Sequence, residues 1–186
     1  LEGAGARVAL FITEGFGDAL GIGTQQRPDL FALDIRKPGQ LYESVVEVDE
    51  RLDADGSVVR AIDCDALAER AGELVAAGIE TAAVVLMHSY RNSAHEQQLA
   101  EFLRGCGFSS VSCSSEIAPL IRLVSRGETT VVNAYLCPVI ERYLGEIGRC
   151  IGVGGKRGPR SSLFVMTSAG GLCRSDWYRP KDCLLS

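Results

Sequence analysis

No apolar run in this 186-residue chain approaches the roughly 18 residues of a membrane-spanning helix, so none is expected. No CxxC pair occurs. The seven cysteines are odd in number, irregularly spaced and mostly set in or beside apolar runs. That argues against a disulfide framework or a zinc site, and for reduced, buried thiols in the cytoplasm. Also missing are a P-loop, a Gly-x-Gly-x-x-Gly pattern and any readable Ser-His-Asp arrangement. Histidine is scarce, at two residues. Positive charge is scattered, and the net charge of −5 argues against non-specific nucleic-acid binding. Its densest group, Lys156-Arg157-Gly158-Pro159-Arg160, reads as a solvated loop. The start has no basic region followed by an apolar one, so no signal peptide is expected. It also lacks Met, while Cys183-Leu184-Leu185-Ser186 runs apolar to the end, and both ends are expected to be cut. No internal repeat or low-complexity tract occurs.

What is present suits a folded globular chain, since 46% apolar and 23% charged residues leave little room for disorder. Arg7 to Ile12 reads as a buried strand, followed by a short helical piece around Asp18 to Leu20 that Gly21 to Gly23 ends. Gln25 to Pro38 reads as an ordered loop. Ser44 to Leu52 alternates, with Val46, Val48 and Leu52 on one face and Glu47, Asp49 and Arg51 on the other. Asp53 to Gly56 turns it into a second strand, Ser57 to Ile62, which predicts a hairpin. Leu67, Ala71, Leu74 and Val75 mark an amphipathic helix over Asp63 to Ala77, capped by Asp63 or Asp65 and ended by Gly78. Thr81 to Met87 reads as a strand covered on both faces. Ser93 and Glu96 fit a capping box opening a helix whose buried stripe is Leu99, Phe102 and Leu103. Ser109 to Cys113 is the next strand. A long helix over Glu128 to Ile151 follows, with Val132, Leu136, Val139, Ile140, Tyr143, Leu144 and Ile147 buried and Pro138 kinking or dividing it. Gly152 to Arg160 is a loop and Leu163 to Thr167 a last strand. Alternating helices and strands on short links predict a layered α/β sheet, with a boundary near Ser112 to Glu116.

Candidate chemistry concentrates at the end of the buried strand. His88 ends it, followed by Ser89, Tyr90 and Asn92, and His95 sits in the first turn of the next helix. In parallel α/β sheets ligands bind at the carboxyl ends of strands, so the pair is either a substrate contact or general acid/base, or a hydrogen-bonded tie on the turn. Gly170-Gly171 after a strand either admits a phosphate or makes a simple turn. Arg122, Arg126 and Glu128 either place an anion near the long helix's N-terminus or are surface charges. Alternation splits the carboxylates of Glu47 to Arg51 between two faces, which reads as a solvated strand face.

Thr13-Glu14-Gly15-Phe16-Gly17-Asp18, Ile22-Gly23-Thr24-Gln25-Gln26-Arg27-Pro28-Asp29-Leu30-Phe31, Glu47 to Arg51, Leu86-Met87-His88-Ser89-Tyr90 with His95-Glu96, Ser114-Ser115-Glu116, and Asn133-Ala134-Tyr135-Leu136 before Pro138 resemble, in order, the A-type half of the hydantoinase/oxoprolinase family. Ser168 to Leu172 and Lys181 to Ser186 look like the approach to its glycine-rich nucleotide loop. The wording is most like the 5-oxoprolinase branch, with N-methylhydantoinase and ketone carboxylase subunits as neighbours. The resemblance implies an α/β layered mixed sheet with helices, part of an actin-like (ribonuclease H-like) ATPase fold. It makes residues 1–112 part of the N-terminal domain and 113–186 the start of the ATPase domain. It implies hydrolysis of a small cyclic amide driven by ATP with Mg²⁺, a B-type half as partner (fused or separate) and an oligomer when full length. It makes His88, His95, Arg126 and Asp18 candidate substrate-binding residues, and Gly170 and Gly171 candidate nucleotide-binding ones. Gly17 stands where relatives usually carry Arg, and Ala169 where they carry Asn or Asp. The family's phosphate motifs would lie before Leu1 and after Ser186, so the 186 residues alone are not expected to hydrolyse ATP. The competing expectation is a non-catalytic α/β module that docks a partner.

Overall fold

A computed structural model describes residues 5–24, 39–151 and 162–183. The loops expected over Gln25 to Pro38 and Gly152 to Arg160 lie outside the described residues.

Four parallel strands form the main sheet in the order β2-β1-β5-β6: β1 Val8–Thr13, β2 Ser44–Val48, β5 Thr81–Val85 and β6 Ser110–Cys113. The two central strands are buried along their whole length, as continuous apolar runs in a sheet covered on both faces must be. The period-2 alternation of side chains then divides β1 between two cores. Ala9 and Phe11 join Leu74 of α2 (Ala68–Ala76) and Leu99 and Leu103 of α3 (Ala94–Gly105) on one face. Val8, Leu10 and Ile12 meet Val131 and Ala134 of α5 (Leu123–Cys150) on the other. The α/β layering is therefore helix, sheet, helix. From β1 the chain goes to one side for β2 and returns to the other side for β5, so the order reverses between β1 and β5. That reversal makes the carboxyl ends of these two strands a crevice where ligands bind in open α/β sheets.

Local signals locate most elements. Asp63 Oδ1 accepts the amides of Asp65 and Ala66 and so caps the 3₁₀ turn Asp65–Leu67 leading into α2. Gly78, at φ 79°, ends that helix in the left-handed region only glycine enters freely. The alternating segment Ser44 to Leu52 is not one strand. β2 stops at Val48 and pairs in parallel with β1, and only β3 (Arg51–Leu52) joins β4 (Val58–Arg60) in the antiparallel hairpin. The break falls where Glu50 leaves the strand, its amide returning to Val48 O at 2.9 Å.

Two helix readings need correction. Ser93 makes no capping hydrogen bond; Asn92 Oδ1 takes the Ala94 amide, and Glu96 turns inward instead. α5 begins five residues before Glu128, and its buried residues run from Arg126 to Ala134, whereas Val139 is 39% and Tyr143 59% exposed. A 28-residue helix spans about 42 Å, against about 20 Å for the six-residue strand β1, so its second half runs past the sheet. The helix continues through Pro138. α4 (Ser114–Ile117) links β6 to α5, and β7 (Phe164–Met166) turns back into β8 (Leu172–Arg174), a strand too short to read from sequence. Position 112/113 falls inside β6, which is hydrogen-bonded to β5. α1 is the single turn Ala19–Ile22.

Candidate functional site

Beyond Val85 the chain leaves the sheet ladder while Leu86 stays buried, so its backbone groups need other partners. Side chains supply them. The Leu86 amide donates to Glu96 Oε1 at 2.9 Å, and Leu86 O accepts from Arg126 Nη2 at 2.6 Å and from the Ser89 amide at 3.3 Å. The Met87 amide donates to Thr13 Oγ1 at 2.8 Å. The Thr13 hydroxyl donates in turn to Glu50 Oε1, and Glu50 Oε2 meets His95 Nδ1 at 2.7 Å. Glu96 also accepts from Ser114 Oγ (2.6 Å), the Ser115 amide (2.8 Å) and Ser115 Oγ (2.6 Å). Thr13, Glu50, Glu96 and Arg126 are each at most 1% exposed. A buried polar network of this density sits at the carboxyl ends of β1, β5 and β6, where the sheet order reverses.

His88 follows this anchored stretch. Its φ is 59°, the one positive value among described non-glycine residues, in a region that crowds a Cβ against the carbonyl. Among described residues, two buried side-chain polar atoms lack a hydrogen bond: His88 Nδ1 and Arg126 Nε. Tyr90 lies beside both side chains, its ring 6.1 Å from that of His88 and 5.6 Å from the Arg126 guanidinium carbon. Strain and unsatisfied polarity in one corner are typical of ligand sites. Burial lowers the pKa of the Arg126 guanidinium, while the charge of Glu96 opposes that shift.

Of the residues singled out from sequence, His88, His95 and Arg126 converge here. His95 is turned inward onto Glu50 as a tie, whereas His88 Nδ1 is buried without a hydrogen-bond partner, so the two histidines are differently placed. Asp18 is exposed at the start of α1, outside the buried network. Gly170 and Gly171 close the β7–β8 hairpin, their amides taken by Thr167 O (2.9 Å) and Thr167 Oγ1 (3.2 Å). That turn leaves neither amide for a phosphate. Among the described residues no group of three His, Cys, Asp or Glu side chains could hold a metal ion.

Sequence reasoning missed Thr13, Glu50, Glu96 and Ser114. Two of them carried a signal. Glu50 is in phase with Val46, Val48 and Leu52, and Glu96 is in phase with Leu99 and Leu103; an acid inside an apolar stripe is the mark of a buried, partnered carboxylate. The wet-face reading holds for Glu47, which takes the Gly15 and Gly17 amides, and for Asp49, which pairs with Arg60, but not for Glu50.

Cys113 borders the network, its thiol donating to Glu96 O at 3.7 Å. Burial, with Glu96 and Glu116, pushes its pKa up to about 12. At pH 8 its thiolate fraction is then about 10⁻⁴, and only the thiolate is nucleophilic. Native iodoacetamide labelling read by mass spectrometry is expected to modify exposed Cys150 and spare Cys113.

The sequence profile of the hydantoinase/oxoprolinase N-terminal region matches residues 1–107, and that of hydantoinase/oxoprolinase matches 126–186. The chain is 39% identical to 5-oxoprolinase 1 of Arabidopsis thaliana and 36% identical to 5-oxoprolinase of Saccharomyces cerevisiae, matching over its whole length but over 16% of each relative. It therefore spans about a sixth of their length. It is 31% identical to caprolactamase subunit alpha of Pseudomonas jessenii over 79% of this chain and 22% of that one. Among solved structures, ATP-dependent caprolactamase from Pseudomonas jessenii superposes with a TM-score of 0.78 at 28% identity, over 94% of this chain and 26% of that one. Nucleotide-free acetone carboxylase superposes with a TM-score of 0.75 at 21% identity, over 96% and 26%, which shows a shared fold. With two adjoining profiles matched in order and the α/β architecture shared, the chain belongs to the hydantoinase/oxoprolinase family.

Proposed function

We propose that this chain is part of an ATP-dependent cyclic amide hydrolase of the 5-oxoprolinase type, opening the lactam of 5-oxo-L-proline to L-glutamate with release of ADP and phosphate. The observation that carries the reading is His88, held at positive φ with Nδ1 free at the reversal point of a parallel sheet. The 5-oxoprolinase relatives and the lactam-opening neighbour support the substrate class. An unstrained lactam resists water because its carbonyl is a poor electrophile and its nitrogen a poor leaving group. ATP supplies activation of the amide oxygen; this chain's part is to meet and orient the ring. A free imidazole nitrogen can accept a proton from an attacking water or pass one to the departing nitrogen. In this reading the phosphate-gripping residues lie outside those described, and a B-type half completes the enzyme.

The test is ATP consumption by the full-length protein with 5-oxoproline, hydantoin, N-methylhydantoin and caprolactam. 5-Oxoproline is expected to stimulate most, and the 186 residues alone not at all. If no cyclic amide raises ATP use above the blank, the reading is wrong.

A further inference from the structure

We infer that Glu96 and Arg126 are a positioning pair: from two different helices they grip the N–H and the C=O of one residue, Leu86, and so hold His88 in its left-handed conformation with Nδ1 free. The inference rests on reading His88 as the group that meets the ligand.

The β5 ladder ends at Val85 opposite Ile12 and at Val84 opposite Cys113. Leu86, next in line, is fully buried, so its amide and carbonyl must be bound by something other than a strand or water. The amide is bound by Glu96, and the carbonyl by Arg126 together with the Ser89 amide at 3.3 Å, which closes a turn around Met87 and His88; the two side-chain partners are charged groups, which make stronger hydrogen bonds than neutral ones. Each member is anchored elsewhere. Glu96 holds Ser114 and Ser115 of α4, and Arg126 Nη1 donates to Leu120 O at 2.8 Å. The pair thus ties α3, α4 and α5 to one turn. Thr13 fixes the following amide, that of Met87. Three consecutive backbone groups, the Leu86 amide and carbonyl and the Met87 amide, are therefore held by side chains within two residues of His88. A clamp serving stability alone would have no need for strained backbone and an orphan nitrogen in the residue it leads to.

Because the chain has two histidines, imidazole signals from ¹³C-histidine labelling of the 186-residue chain give a direct readout, His88 being assigned from its loss in His88→Gly. Glu96→Gln and Arg126→Lys are compared with Leu74→Ala, a core truncation in α2 that lowers stability without touching the turn. The His88 signal is expected to shift or broaden in both clamp variants and to stay in place in Leu74→Ala. In the full-length enzyme the same clamp variants are expected to lower kcat about tenfold to a hundredfold with the KM for ATP unchanged. If Glu96→Gln does not fold, Arg126→Lys and Ser115→Ala carry the comparison. A His88 signal indifferent to the clamp substitutions overturns the inference whatever the assay shows. Cyclic amides that fail to stimulate ATP use would overturn the function reading and leave the His88 response standing.

Discussion

Replacing Glu96 with alanine is expected to lower the unfolding free energy by about 3–5 kcal/mol, because several hydrogen bonds to one buried charged group are lost together. The carboxylate is 0% exposed and accepts from Leu86, Ser114 and Ser115. Alanine leaves the buried Leu86 amide and the part-buried Ser115 amide without acceptors, and removes the negative charge that favours the Arg126 guanidinium. Each unsatisfied buried group costs about 1–3 kcal/mol, although the Ser hydroxyls can turn to other partners. For a chain of this size the loss corresponds to a fall in Tm on the order of 10 °C, read by thermal denaturation. Had Glu96 been an ordinary capping-box residue on the helix surface, the loss would be about 1 kcal/mol. A shift of that smaller size would show that the buried network does not hold the turn.

His88→Gly is expected to move stability and turnover in opposite directions. Glycine removes the Cβ strain of the left-handed backbone, about 1–2 kcal/mol, and also the imidazole nitrogen that is buried without a partner. The added freedom of the unfolded chain offsets roughly 0.5–1 kcal/mol. The balance is a protein at least as stable as its parent, with Tm unchanged or a few degrees higher. Loss of a proton-transferring imidazole should cut ring opening by the full-length enzyme about 10²–10⁴-fold. A residue that destabilises the fold yet is needed for turnover is the pattern of strain kept for function. His88→Asn separates the two effects, because asparagine tolerates the same backbone while lacking a basic ring nitrogen. Unchanged kinetics in both variants would make His88 a structural oddity and remove the site.

Much of the fold was legible because its signals are local. Two continuous apolar runs become the central strands, and a left-handed glycine ends α2. The hairpin was legible as a turn but not in extent, since the residues of β2 suit an antiparallel or a parallel neighbour equally well; pairing with β1 is set by burial of Val46 and Val48. The buried face of α5 was misread because periodicity shows which side of a helix is apolar, not how far its supporting sheet reaches. At the site, His88 stood out by its place at the end of a strand. Glu50 and Glu96 were passed over because a carboxylate is read as solvent-facing unless its phase within an apolar stripe is weighed first.

The amino-acid order by itself determined the periods of hydrophobicity, the caps and turns, and hence an α/β chain with its candidate site near the end of β5. Only the tertiary structure decided which groups meet there. Thr13 and Met87 are separated by 74 residues, Glu50 and His95 by 45, and Leu86 and Arg126 by 40. Those meetings depend on strand register and on where two helices dock against the strand ends, and no local pattern encodes either. Burial then turns their proximity into strength, because in a dry interior every donor and acceptor must be matched by another from the protein itself.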